Sequence, residues 1–129
     1  MSEEDDKKAY LQQMKAQRGY IRDFHKVLVA EDLPYMKAVN NLLETAYYRE
    51  RKVDKKTKEL VFIGALVGLG LPDKQHLKTH MEAAKRAGAT KEEVLELLEM
   101  LTTPCGFPKF LYGYDVWTQV YEVQRVEIE

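Results

Sequence analysis

The sequence predicts an all-α protein, a single-domain bundle of about six or seven helices. Three observations predict it. Apolar residues recur three and four apart in one segment after another, helix starts and stops are written in Asp54, Gly70-x-Pro72, Gly88 and the Thr90/Glu93 pair, and no convincing stretch alternates apolar and polar residues as a half-buried strand would. No internal repeat or low-complexity tract alters that expectation.

Length and composition narrow the class. A chain of 129 residues is bounded to one domain, and 45% hydrophobic with 32% charged residues is the balance of an ordinary soluble protein. A net charge of −1, with no basic cluster interleaved with aromatics, gives no reason to expect nucleic acid. The start, MSEEDDKK, is polar and lacks the apolar stretch of a secretory signal. One cysteine excludes an internal disulfide and suits a reducing cytoplasm, the expected location, with no membrane partner.

Residues 1–18 read as a polar N-terminal segment and helix, and residues 19–129 as the helical domain proper. Residues 1–8 are expected to fray, their acidic part favourably placed at the start of a helix that runs to Gln17, and Gly19 breaks the pattern. Ile21, Phe24, Val27 and Leu28 then form one core stripe, with His25 beside it as a surface or partly buried residue. Tyr35, Val39, Leu42, Leu43, Ala46 and Tyr47 form a second, behind Asp32 as a cap and Pro34 in the first turn. Further on, Thr90 and Glu93 make a capping box for a helix that buries Val94, Leu97, Leu98 and Leu101. Its acidic side, Glu92, Glu93, Glu96 and Glu99, is a solvated face. TTPCGFP interrupts the periodicity before a last amphipathic helix from Phe110 to Val123.

The candidate chemistry lies between Glu59 and His80. Asp54 can cap a helix whose apolar run, Leu60 to Leu71, is shorter than the roughly 20 residues a bilayer span takes, so the helix belongs in a protein core. Gly70 stops it, and Pro72 suits the first turn of the next helix. Gly64 and Gly68 share one face and invite close approach of another helix. In the second helix Asp73, His76 and His80 are spaced three and four apart and are expected on one side, with Glu59 brought near by the preceding antiparallel helix. Imidazole gives and takes protons at neutral pH, and a carboxylate beside it orients the ring, so Glu59, His76 and His80 are the candidate catalytic residues. Two histidines at this spacing also suit plain packing. A metal held by them and an acidic residue is chemically possible, but no complete ligand signature is present, and neither metal nor cofactor is expected.

KTKELV at 56–61, the helix–corner–helix after it, HMEAAKRAGATKEEVLELL at 80–98 and CGFP at 105–108 together resemble the carboxymuconolactone decarboxylase family, which includes the alkylhydroperoxidase D-like proteins. The resemblance covers most of the chain from Tyr35 to Val123. It implies the alkylhydroperoxidase D-like helical bundle. His80 matches the family histidine and Glu59 the relay glutamate of the hydroperoxidase branch. The two cysteines of that branch match Asp73 and His76, and the Glu59–His80 interval is longer than the family pattern. Disulfide-cycling peroxidase chemistry needs a resolving thiol that this chain lacks. The decarboxylase branch, which works without a thiol pair, implies a lyase that stabilises a dienolate and protonates carbon.

Cys105 is expected as a small buried hydrophobe or as a residue at the pocket mouth, where it, Asp73, Phe107 and Tyr112 are the candidate substrate-pocket residues. Three functions stay open: a small-molecule lyase using histidine proton transfer on a small carboxylated substrate, a peroxidase-like redox protein using Cys105, and a ligand-binding member without chemistry. The resemblance also implies a homo-oligomer, a trimer or hexamer, with the glycine-bearing helix and the aromatic last helix buried between subunits.

Overall fold

The computed structural model describes residues 2–128. Among them the secondary structure is entirely helical, and the chain falls into two compact units that divide after Glu50.

The first unit holds α1 (Glu3–Arg18), α2 (Asp23–Glu31) and α3 (Leu33–Leu43), the last running into a π-helical turn, Glu44–Tyr48. α1 begins sooner than the charged start suggests. The Ser2 hydroxyl accepts from the Asp5 amide at 3.1 Å, and four acidic residues follow in the first turn, where the helix dipole favours them. Of the segment expected to fray, residues 2–8 form this cap and the first turns of the helix, and Met1 lies outside the described residues. Gly19 closes it with φ +85°, a left-handed value that costs glycine nothing. Asp32 caps α3 by accepting from the Tyr35 amide.

The phase of α2 and α3 differs from the expected stripes. Met14, Val29 and Met36 form the buried core, and His25 and Asn40 are buried beside it, whereas Phe24, Val27, Tyr35 and Leu42 are exposed. The reason is polar. Arg18, His25 and Asn40 bond to one another in the interior, and that network takes up positions a count of apolar residues assigns to the surface.

The second unit holds α4 (Lys55–Leu69), α5 (Gln75–Arg86), α6 (Lys91–Met100), the single turn α7 (Thr102–Cys105) and α8 (Phe107–Val120), followed by an extended tail. Its core contains Ile63, Val67, Leu77, Met81, Val94, Leu98 and Val116, each almost wholly buried. Gly113 lets α8 seat against this core. A Cβ built there would stand 2.5 Å from Leu98 Cδ2 and 3.2 Å from Val67 Cγ2. Three side chains then pin α8 and the residue that closes it to backbone carbonyls: Tyr112 to Leu71 at 2.6 Å, Trp117 to Lys91 at the start of α6 at 3.0 Å and Tyr121 to Ala89 at 2.8 Å. The Thr90/Glu93 box forms as expected, and Lys56 pairs with Glu93 at 2.6 Å. The bond from the Lys56 ammonium, and after it that from the Thr90 amide, hold the Glu93 carboxyl below its usual range.

The last helix starts at Phe107, three residues before the expected Phe110, because Gly106 (φ +86°) and Pro108 set its first turn. On the glycine face of α4, Cβ positions at Gly64 and Gly68 would meet Leu101 Cδ2 at 4.0 Å and Cys105 Sγ at 3.9 Å, so the α6–α7 segment of the same chain approaches that face while Gly68 stays exposed. No described helix is long and apolar enough to cross a membrane.

Candidate active site

α4 and α5 form the site by pairing antiparallel. Glu59 meets His80 and Phe62 meets His76, so an advance along α4 corresponds to a retreat along α5. α4 is fixed at its start by Asp54, whose Oδ1 accepts from the Thr57 amide at 2.8 Å; that bond holds the Asp54 carboxyl below its usual range. At its end Gly70 adopts φ +61°, and its amide donates to the Leu66 carbonyl. Because the ends are set, Glu59 and Phe62, three residues apart, face α5 together.

His80 Nδ1 lies 2.8 Å from Glu59 Oε2, and both residues are buried, 5% and 4% exposed. With Glu59 as a carboxylate, which can only accept, His80 Nδ1 is the donor of this contact. Phe62 stacks on the His80 ring at 3.8 Å and 12°. His76 lies at 5.0 Å and 16° from His80, and at 5.8 Å and 10° from Phe62. The three near-parallel rings form a triangle rather than a linear stack, with half-buried His76 touching both others. A buried carboxylate–imidazole pair of this kind can accept and return a proton while the carboxylate steadies the charged ring.

The remaining sequence-predicted residues lie elsewhere. α5 begins at Gln75, not at Pro72, because Asp73 turns its Oδ1 back to accept from the Gln75 amide at 2.9 Å. Asp73 therefore stands in the corner outside the helix and does not extend the His76/His80 face. It lines a shallow surface depression of about 220 Å³ with Lys74, Gln75, Lys78, Val116 and Gln119. Half-buried Cys105 packs toward Gly68. Gly68 is nine residues beyond Glu59 in α4, a turn of about 900° and an advance of about 13 Å, which places the thiol against the opposite side of the helix. Phe107 is exposed and stacks on Phe110 at 5.5 Å. Tyr112 braces the α4–α5 corner through its bond to Leu71, with Lys74 Nζ 5.1 Å from its ring centre. Thus the structure joins Glu59, His76 and His80 and disperses the four expected pocket residues. Phe62 was missed, although its place three residues after Glu59 carried the signal.

Among the described residues no three His, Cys, Asp or Glu side chains are grouped as metal ligands. The donor set at the site is two imidazoles and one carboxylate, the carboxylate bonded to one of the rings.

No curated protein and no solved structure gives a significant match to the chain. The sequence model of the carboxymuconolactone decarboxylase family matches residues 34–119. That span contains α4, α5 and the Glu59–His80 pair, and it covers more than half of the sequence. The chain belongs to the carboxymuconolactone decarboxylase family.

Proposed function

We propose that this protein is a lyase-type enzyme acting by proton transfer on a small carboxylated substrate, with decarboxylation of a lactone acid or related compound as the closest model. The 2.8 Å contact between Glu59 and His80 inside the helical core carries the reading. When the carboxylate leaves as carbon dioxide, the electrons of the broken C–C bond pass into the conjugated system and form a dienolate. Carbon then takes a proton from His80 Nε2, and Glu59 stabilises the imidazolium that delivers it. His76, against the same ring, donates a hydrogen bond or serves as a second acid.

A second reading is favoured by one observation. Only 5% of His80 is exposed, and a ring so enclosed also suits a family member that binds a ligand without chemistry. A panel of small unsaturated lactone and β-keto carboxylic acids, followed by release of carbon dioxide, separates the two. The lyase reading expects turnover that is lost in His80→Gln by about 10²–10⁴-fold. Saturable binding with no turnover of any member favours the second reading.

We also propose a cytoplasmic homo-oligomer, trimeric or hexameric. The support is two exposed apolar rows, Val61 with Leu69 on α4 and Phe107, Leu111 and Tyr114 on α8, and a lone cysteine suited to a reducing compartment. Sedimentation as a monomer at micromolar concentration removes the assembly part.

A further inference from the structure

The buried interior of the first unit contains a cation, Arg18, that has no anionic partner among the described residues. Arg18 is 8% exposed, and its guanidinium contacts His25 Nε2 at 2.6 Å, Asn40 Oδ1 and the face of Tyr48, with the ring centre 5.2 Å away. None of these partners is anionic. Arg18 Nε is buried and meets no acceptor among the described residues. A buried charge in that condition is strongly disfavoured unless an opposite charge joins it.

His25 points the same way. The Arg22 amide donates to His25 Nδ1 at 2.9 Å, so a neutral ring must carry its proton on Nε2. Yet the group against Nε2 is a guanidinium, which has donors only. Two donors therefore confront each other across 2.6 Å. One acceptor oxygen near both would resolve the conflict, and a second oxygen of the same group could take the Nε proton.

The surroundings favour an anion. Arg22 adds a second positive charge near His25. The Tyr20 ring, 6.3 Å from His25, forms part of the wall of an open concavity of about 480 Å³, which Lys8, Lys15 and Lys26 also line. A cleft bearing one sign of charge concentrates the opposite ion. The π-helical turn that supplies Tyr48 is a form of helix found often at functional sites.

We propose that Arg18, His25 and Asn40 form a receptor for a carboxylate group. The planar Nε–Nη edge of arginine matches two carboxylate oxygens, and the imidazole Nε2–H adds a third donor. The carboxylate comes from a small free acid or from a side chain of a second copy of this chain. This site uses none of Glu59, His76 and His80, so its test is independent of the proposed activity.

The probe is sodium acetate at pH 7, added to the full chain while the histidine ring signals are followed by NMR and equal sodium chloride serves as control. Acetate should shift the His25 signals saturably, and Arg18→Lys, which keeps the charge but loses the fork, should weaken that response by at least about 10-fold with helical content unchanged. Sedimentation separates the sources. If acetate and Arg18→Lys each dissociate an oligomer, the carboxylate is the second copy's; if the assembly is unaffected while His25 responds, it is a free acid. Asn40→Asp provides a variant that does not rest on removing the arginine. It places a carboxylate against Arg18 and should raise the unfolding temperature and abolish the acetate response. The proposal is overturned if neither acetate nor Arg18→Lys alters the His25 signals or the assembly, if Asn40→Asp destabilises the fold, or if inorganic phosphate saturates the site where acetate does not.

Discussion

Glu59 Oε2 and His80 Nδ1 stand 2.8 Å apart although 21 positions separate them in sequence. The contact is made by the α4–α5 pair alone. It therefore depends on the start of α4 at Asp54, its stop at Gly70, and the short corner that returns the chain. Substitution at Glu59 separates two roles of the carboxylate. Glu59→Gln can still accept from Nδ1 but carries no charge, so the fold should persist while turnover falls. Glu59→Ala leaves a buried imidazole donor without an acceptor and should additionally lower stability by about 1–3 kcal/mol. Denaturant titration beside activity checks this. Equal activity in wild type and Glu59→Gln would show that the charge has no part in the reaction.

Cys105 should be dispensable for that reaction. Its thiol packs toward Gly68, on the side of α4 away from Glu59, and the chain has no second cysteine to complete a disulfide cycle. Cys105→Ser should keep turnover within about threefold of wild type, with any effect appearing as a modest stability change. Complete loss of turnover in a folded Cys105→Ser protein would transfer the chemistry to the thiol.

Gly113→Ala tests how tightly α8 is seated. Alanine gains about 1 kcal/mol of helix propensity over glycine, but its methyl would lie 2.5 Å from Leu98 Cδ2, on a side chain with no exposed surface. Overpacking of this kind costs about 1–3 kcal/mol, so the net change should be destabilising by up to about 2 kcal/mol. A denaturation midpoint at or above that of wild type would mean that Leu98 can move aside.

The legible parts of the chain are those where apolar spacing and caps agree. Asp54, Gly70, Gly88 and the Thr90/Glu93 box mark the ends of α4, α5 and α6, and the i, i+4 spacing of His76 and His80 gives their common face. Asp73 stands before α5 rather than on its face, because a carboxylate one turn before a histidine suits either a helix face or a loop that caps it, and the bond from the Gln75 amide decides for the loop. The first unit was less legible. Its core positions His25 and Asn40 are polar, and only the bonds they make to Arg18, distant in sequence, make their burial tolerable. Position alone could not reveal such partners. The exposed Tyr35 and Leu42 were mistaken for core residues for the same reason: α3 turns Met36 and Asn40 inward.

His25 should make the fold sensitive to mild acid. Burial, followed by the positive charges of Arg18 on α1 and Arg22 before α2, lowers its pKa from 6.5 to about 4. No carboxylate is among the groups acting on it. The folded protein therefore keeps this ring neutral where the unfolded chain protonates it. Between about pH 6.5 and pH 4 the unfolded state binds more protons, so unfolding free energy rises with pH and is lost on acidification through that window. The contribution is fully present above pH 6.5 and gone below pH 4. After allowance for solvent screening it amounts to about 2 kcal/mol. His25→Gln removes the titrating group but retains an amide able to accept from Arg22, so its stability should fall less steeply from pH 7 to pH 4 than that of wild type. The check is denaturant unfolding of both proteins at half-unit pH steps. Parallel curves through the window would mean that His25 titrates alike in the folded and unfolded chain, and that its enclosure beside Arg18 does not hold it neutral.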